Sequence, residues 1–150
     1  MKFRKMTHED INAAAYILRS CHNTIWPATT QYHDVYKHYL RNEISAYVLE
    51  AEEKVVAIAF AETTDNCYLS DLVHLQFAVD PNYARRGYGT AIVEHMVATF
   101  SDFRKIWLHV VRSNLPAVIL FLKCGFEFES VDRCGYLGED QYIMSIIRRH

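Results

Sequence analysis

The chain has 150 residues, 51% of them apolar, and a formal net charge of −2. That is enough apolar material for the core of one domain spanning residues 1–150, and the charge balance argues against nucleic acid as a partner. No apolar run approaches a membrane span, and Met1-Lys2-Phe3-Arg4-Lys5 lacks the apolar region of a signal peptide, so no membrane partner and a cytoplasmic setting are expected. Cys21, Cys67, Cys124 and Cys134 form no C-x-x-C pair and are expected to be reduced. The eight histidines show no metal-ligand spacing, so no metal is expected.

In chain order, residues 3–6 alternate as a first strand, and Thr7-His8-Glu9-Asp10 reads as an N-cap with an acidic first turn. Ile11, Ala14, Ala15 and Leu18 supply the buried face of the helix that follows. From residue 21 to 40, Trp26, Tyr32, Tyr36 and Tyr39 are interleaved with His22, His33 and His38, and Pro27 interrupts them. A loop and then a short helix are expected, whose aromatics either pack on a sheet or wall an amine-binding pocket. Residues 46–51 and 55–62 form a hairpin around Glu52-Glu53-Lys54.

A central strand over residues 71–79 then meets Asp80-Pro81, where proline ends the ladder. Ile92, Val93, Met96, Val97 and Phe100 recur at helical spacing, so a helix starts near Gly87. Unpaired N–H groups at its start, two glycines without a Cβ, and Arg85 and Arg86 together suit a pyrophosphate. The alternative reading of Gly87 and Gly89 is an ordinary loop-to-helix junction. A P-loop needs Lys and then Ser/Thr after its last glycine, whereas Thr90-Ala91 follows Gly89; a dinucleotide fingerprint needs a small residue where Ile92 stands. Residues 105–111 form the next strand, and Asn114-Leu115-Pro116-Ala117 opens an apolar helix that Gly125 ends. Residues 126–131 and 141–147 close the chain as an antiparallel pair, so the class is α/β with a mixed sheet flanked by helices.

Arg86, Gly89 and Ala91 after Val79-Asp80-Pro81 resemble motif A, R-x-x-G-x-A, of the GCN5-related N-acetyltransferases (GNAT superfamily). Asn114, Ala117, Phe121 and Gly125-Phe126 resemble motif B, N-x-x-A-x-x-x-Y-x-x-x-G-F, and the similarity extends over essentially the whole chain. The resemblance implies a mostly antiparallel sheet whose two central strands splay apart around the pantetheine arm of acetyl-CoA. It further implies main-chain contacts to that cosubstrate from Phe77 and Val79, pyrophosphate contacts from Arg85, Arg86, Gly87, Tyr88, Gly89 and Thr90, a hydrogen bond from Asn114, and Phe121 beside the thioester. Dimerisation, common in the family, makes a homodimer possible.

Acetyl transfer requires a neutral amine, donors for an oxyanion, and a tolerable thiolate leaving group. Where many members carry tyrosine as the acid for the thiolate, this chain has Phe121, which gives no proton. Where ribosomal-protein and N-terminal acetyltransferases of the family often place a glutamate, it has His109, which serves either as the base or as a hydrogen-bonded sheet histidine. His74 is the second candidate base, with Gln76 beside it to orient a water. Tyr136 in the final hairpin is either a donor near the substrate or a surface residue. Glu43, Glu62, Asp65 and Asp71 either attract a cationic amine or are a solvated face.

Two functions are weighed. The first is an enzyme that moves acetyl from acetyl-CoA to a primary amine on a small molecule, a peptide N-terminus or a lysine. The second is a non-catalytic module that binds acetyl-CoA or CoA as a regulatory ligand, an alternative kept alive by Phe121.

Overall fold

The computed structural model describes residues 1–21, 26–63 and 71–148; His22, Asp65 and Cys67 lie outside them. Among the described residues seven strands, β1 (Lys2–Lys5), β2 (Ile44–Ala51), β3 (Lys54–Thr63), β4 (Leu72–Val79), β5 (Lys105–Val111), β6 (Glu127–Tyr136) and β7 (Glu139–Ile147), form one sheet in the order β1-β2-β3-β4-β5-β7-β6. Every pairing is antiparallel except β4 with β5. Among the described residues four α-helices accompany it: α1 (Ile11–Ser20), α2 (Tyr32–Tyr39), α3 (Tyr88–Thr99) and α4 (Leu115–Lys123).

Strand alternation sends Leu75, Ile106, Leu108 and Met144 to the face covered by α3 and α4, where they meet Ile92, Met96 and Phe121. Val48, Ile58 and Phe60 point to the other face, against Ile11, Ile17, Leu18 and Val35 of α1 and α2. The α1 start is held by charge as well as by apolar packing. Asp10 accepts from the Thr7 N–H at 2.7 Å and from two Arg4 nitrogens at 2.7 and 2.9 Å, while Arg4 also reaches Glu50 at 2.6 Å. The Arg4 guanidinium holds the Asp10 carboxyl below the usual carboxylate range despite its burial.

Gly87 occupies the N-cap of α3 at φ +84, a conformation that glycine adopts without the steric penalty of a Cβ. Gly125 ends α4 at φ +97, and the Phe126 N–H returns to the Phe121 carbonyl at 3.0 Å. The final hairpin is longer than the apolar run at residues 126–131 suggests. β6 continues to Tyr136, with irregularities between Phe128 and Ser130 and between Asp132 and Tyr136. Pairing with β7 on either side, at Asp132–Gln141 and Tyr136–Glu139, brackets Arg133-Cys134-Gly135, which bulge out of register between the two pairs.

Candidate active site

The central strands part company. β4 and β5 pair only at Leu72–Lys105, Val73–Ile106 and His74–Trp107, whereas β4 stays paired with β3 to Val79 and β5 with β7 to Val111. The Asp80 N–H donates to the Val56 carbonyl at 2.8 Å, so residues 74, 76, 78 and 80 face β3 and the alternate set, with Phe77 and Val79, faces the opening. On β5, the Arg112 N–H donates to the Asp140 carbonyl at 3.0 Å, and the same alternation turns the His109 N–H and C=O towards the opening. A cavity of about 970 Å³ occupies the split and reaches both faces of the sheet.

At one end of the cavity stands the start of α3. Its first intrahelical bond here is from Ala91 N–H to the Gly87 carbonyl, 3.0 Å, so the N–H groups of Tyr88, Gly89 and Thr90 precede the ladder. Among the described residues Arg85, exposed at φ +64, makes no ion pair. Arg86 and Tyr88 are engaged elsewhere: Glu52 on the β2–β3 turn takes Arg86 at 2.7 and 2.9 Å and the Tyr88 hydroxyl at 2.9 Å. The Arg86 guanidinium also lies 5.1 Å from the Tyr83 ring centre. A Cβ on Gly89 would stand 3.0 Å from Leu120 Cδ1 and 3.7 Å from Val79 Cγ2, so its missing side chain lets α3 approach α4 and β4. Asn114 lines the cavity and caps α4, its Oδ1 accepting from the Ala117 N–H at 3.4 Å. Phe121 is buried, its ring 5.9 Å from that of Phe77 and 5.7 Å from that of Phe126.

On the opposite sheet face the structure brings His74 and His109 together, His74 Nε2 lying 3.2 Å from His109 Nδ1, so that one ring donates to the other. The Trp107 ring is 4.5 Å from that of His74 and 5.2 Å from that of His109. Burial, and then the facing His109, push the His74 imidazole down to about 4. Burial also lowers His109, against an upward pull from Asp132. Gln76 lines the same cavity, and its Oε1 is buried without a hydrogen-bond partner among the described residues. Tyr136 is not among the cavity-lining residues; it stands opposite Glu139 at the end of the hairpin.

The sequence reading did not single out several groups at this site. Asp132 and Gln141 line the cavity from β6 and β7, and Glu52 is bonded to Arg86 beside the start of α3. The half-buried Cys21 thiol donates to the Val79 carbonyl at 3.2 Å and is pushed up to about 11 by burial. Trp26, flagged only as one of several aromatics, lines the cavity with its ring 5.9 Å from Phe60. No cluster of metal-ligating side chains occurs among the described residues, and no described helix is long and apolar enough to cross a membrane.

A family model described as acetyltransferase (GNAT) family matches residues 11–126. The chain is similar to the ribosomal protein bS18-alanine N-acetyltransferase of Escherichia coli strain K12, 28% identical over 143 residues that cover 91% of this chain and 90% of that protein. It is similar also to the spermidine N(1)-acetyltransferase of Vibrio cholerae serotype O1, 27% identical over 110 residues covering 71% of this chain and 60% of that one. The crystal structure of the ribosomal-protein-S18-alanine N-acetyltransferase from Escherichia coli superposes with a TM-score of 0.81 at 25% identity, covering 97% of this chain and 92% of its own.

Proposed function

The chain belongs to the acetyltransferase (GNAT) family, and within the amine N-acetylation that its family performs we propose that it acts on the α-amine of a peptide or protein N-terminus. Acetyl-CoA, the cosubstrate the family implies, fits the residues present. Main-chain groups of Phe77, Val79 and His109 face the split without ladder partners, and three N–H groups at the α3 start precede the helical bonds. In this reading Arg85 and the N–H groups of residues 88–90 hold the pyrophosphate, and the amide of Asn114 and the ring of Phe121 flank the arm. Bound there, acetyl-CoA supplies an activated thioester that a neutral amine attacks directly.

The observation that carries the acceptor assignment is the His74–His109 pair, 3.2 Å between ring nitrogens, at the edge of the split. His74 remains neutral near pH 7, because burial holds its imidazole down to about 4. In the neutral tautomer that carries its proton on Nδ1, His74 Nε2 accepts the Nδ1–H of His109, which leaves His109 Nε2 to take a proton from the amine. His109 is itself lowered from its ordinary value, so it is a weak base. An α-ammonium of pKa about 7.7–8.0 yields a proton to such a base far more readily than a lysine ammonium of about 10.4. Similarity over nine-tenths of an enzyme named as a ribosomal protein bS18-alanine N-acetyltransferase supports an acceptor on a protein.

The test compares three acceptors at pH 7.5: a hexapeptide with a free N-terminal alanine, an N-terminally blocked hexapeptide carrying one lysine, and spermidine. Preferential acetylation of the free α-amine is expected. Equal or faster acetylation of either alternative overturns the assignment.

A further inference from the structure

We propose that Asp132 on β6 docks the ammonium of the incoming acceptor, and that Gly135 provides the space in which its carboxylate sits. The inference rests on the acetyl-transfer reading and adds the group that recognises the substrate's charge. Directly opposed residues share a sheet face. The register opposes Asp132 to Gln141 and Gln141 to Val111, while His109 opposes Ile143 and Ile143 opposes Ser130. Asp132, Gln141 and His109 therefore lie on one face, the face that His74 shares through its contact with His109.

Asp132 and Arg85 are the only lining residues with a formal charge among the described ones, and they stand on opposite flanks of the split. The cation is beside the start of α3, where the proposed function puts the pyrophosphate, and the anion is on the histidine side. Asp132 makes no ion pair among the described residues, so its charge is not consumed within the fold. The bulged end of β6 seats it. A Cβ on Gly135 would fall 2.3 Å from Asp132 Oδ2 and 2.9 Å from Gln141 Oε1, so the carboxylate rests where any other residue would project its side chain. Gln141 beneath it is 7% exposed and uncharged.

The titratable groups facing His109 are His74 from β4 and Asp132 from β6. β7 presents uncharged Gln141 and Ile143 to this face, and from the segment after α1 the Cys21 thiol, pushed up to about 11, stays neutral. Asp132 raises the proton affinity of His109. The carboxylate raises the proton affinity of the ammonium it holds as well, so what it supplies is the amine's position beside the imidazole and not a drive for the transfer. The transfer is one proton from nitrogen to nitrogen and needs no co-reactant.

The experiment measures steady-state kinetics of Asp132→Asn and Gly135→Ala with the free-N-terminal hexapeptide, and acetyl-CoA binding by calorimetry. Loss of a charge-assisted contact at a half-buried site is expected to raise KM for the peptide about tenfold in Asp132→Asn. Acetyl-CoA affinity should stay within twofold, and the acid limb of the pH–rate profile should move to lower pH. Gly135→Ala, which displaces the carboxylate without removing it, should raise the same KM. An unchanged peptide KM in both variants overturns the inference and leaves acetyl transfer standing. Absence of thiol release from the unmodified protein with every amine overturns the acetyl-transfer reading itself.

Discussion

Acidification should destabilise this protein through His74, by an amount that follows from its surroundings. Burial on β4, and then the facing His109, push its imidazole down to about 4, against about 6.5 in an unfolded chain. Between those values the unfolded chain binds a proton that the folded chain refuses. The stabilisation is therefore complete above pH 6.5 and is lost as pH falls towards 4. One pH unit of such a mismatch is about 1.4 kcal/mol, so at pH 5 the loss is about 2 kcal/mol, a large fraction of a marginal folding free energy. Guanidinium unfolding at pH 7.5 and pH 5 reads this directly, in the unmodified protein and in His74→Gln. The variant should lose about 2 kcal/mol less between the two pH values, at unchanged m-value. What remains belongs to His109, lowered in the same direction, and to other groups. An identical drop in both proteins would refute the placement of a neutral, buried His74 beside His109.

Two further outcomes are expected. Glu52→Gln releases Arg86 and Tyr88 from the β2–β3 turn; calorimetric acetyl-CoA affinity should rise by up to about fivefold, and weaker binding would show that Glu52 presents Arg86 to the phosphates instead of withholding it. Phe121→Tyr places a hydroxyl in a site 8% exposed between Phe77 and Phe126. Stability should fall by about 1–3 kcal/mol while kcat rises, and an unchanged kcat would show that the leaving thiolate needs no added donor.

The strand end and the helix start around Arg85 to Thr90 are legible in the sequence because their causes are local. Proline at 81 and the apolar spacing from Ile92 to Phe100 dictate the strand end and the helix within a few residues of one another, whereas the left-handed turn at Gly87 emerges only in the structure. The two hairpins and the αL end of α4 at Gly125 are legible for the same reason. The histidine pair is only half legible. Residues 74 and 109 fall on neighbouring strands by pattern, but their 3.2 Å approach depends on where β4 and β5 stop pairing. Asp132 is not legible, because the run at 126–131 ends before it and only the β6 irregularities and the β7 register aim it at the cavity. Glu52 reads as one more turn charge, since its bond to Arg86 joins residues 34 apart. Tyr136 shows the converse: a chemically suitable side chain near the site in sequence stands outside the cavity lining.

The most direct test of the account is thiol release from acetyl-CoA with a free-N-terminal hexapeptide, measured against pH for the unmodified protein and His109→Ala, with acetyl-CoA binding followed by calorimetry. Both proteins should bind acetyl-CoA, the unmodified one should release thiol, and turnover should be about 10²–10⁴-fold lower in the variant, with the acid limb abolished. Equal turnover with an unchanged acid limb would contradict it by removing His109 from the reaction. Failure of the unmodified protein to bind acetyl-CoA would remove the cradle at Arg85 to Thr90.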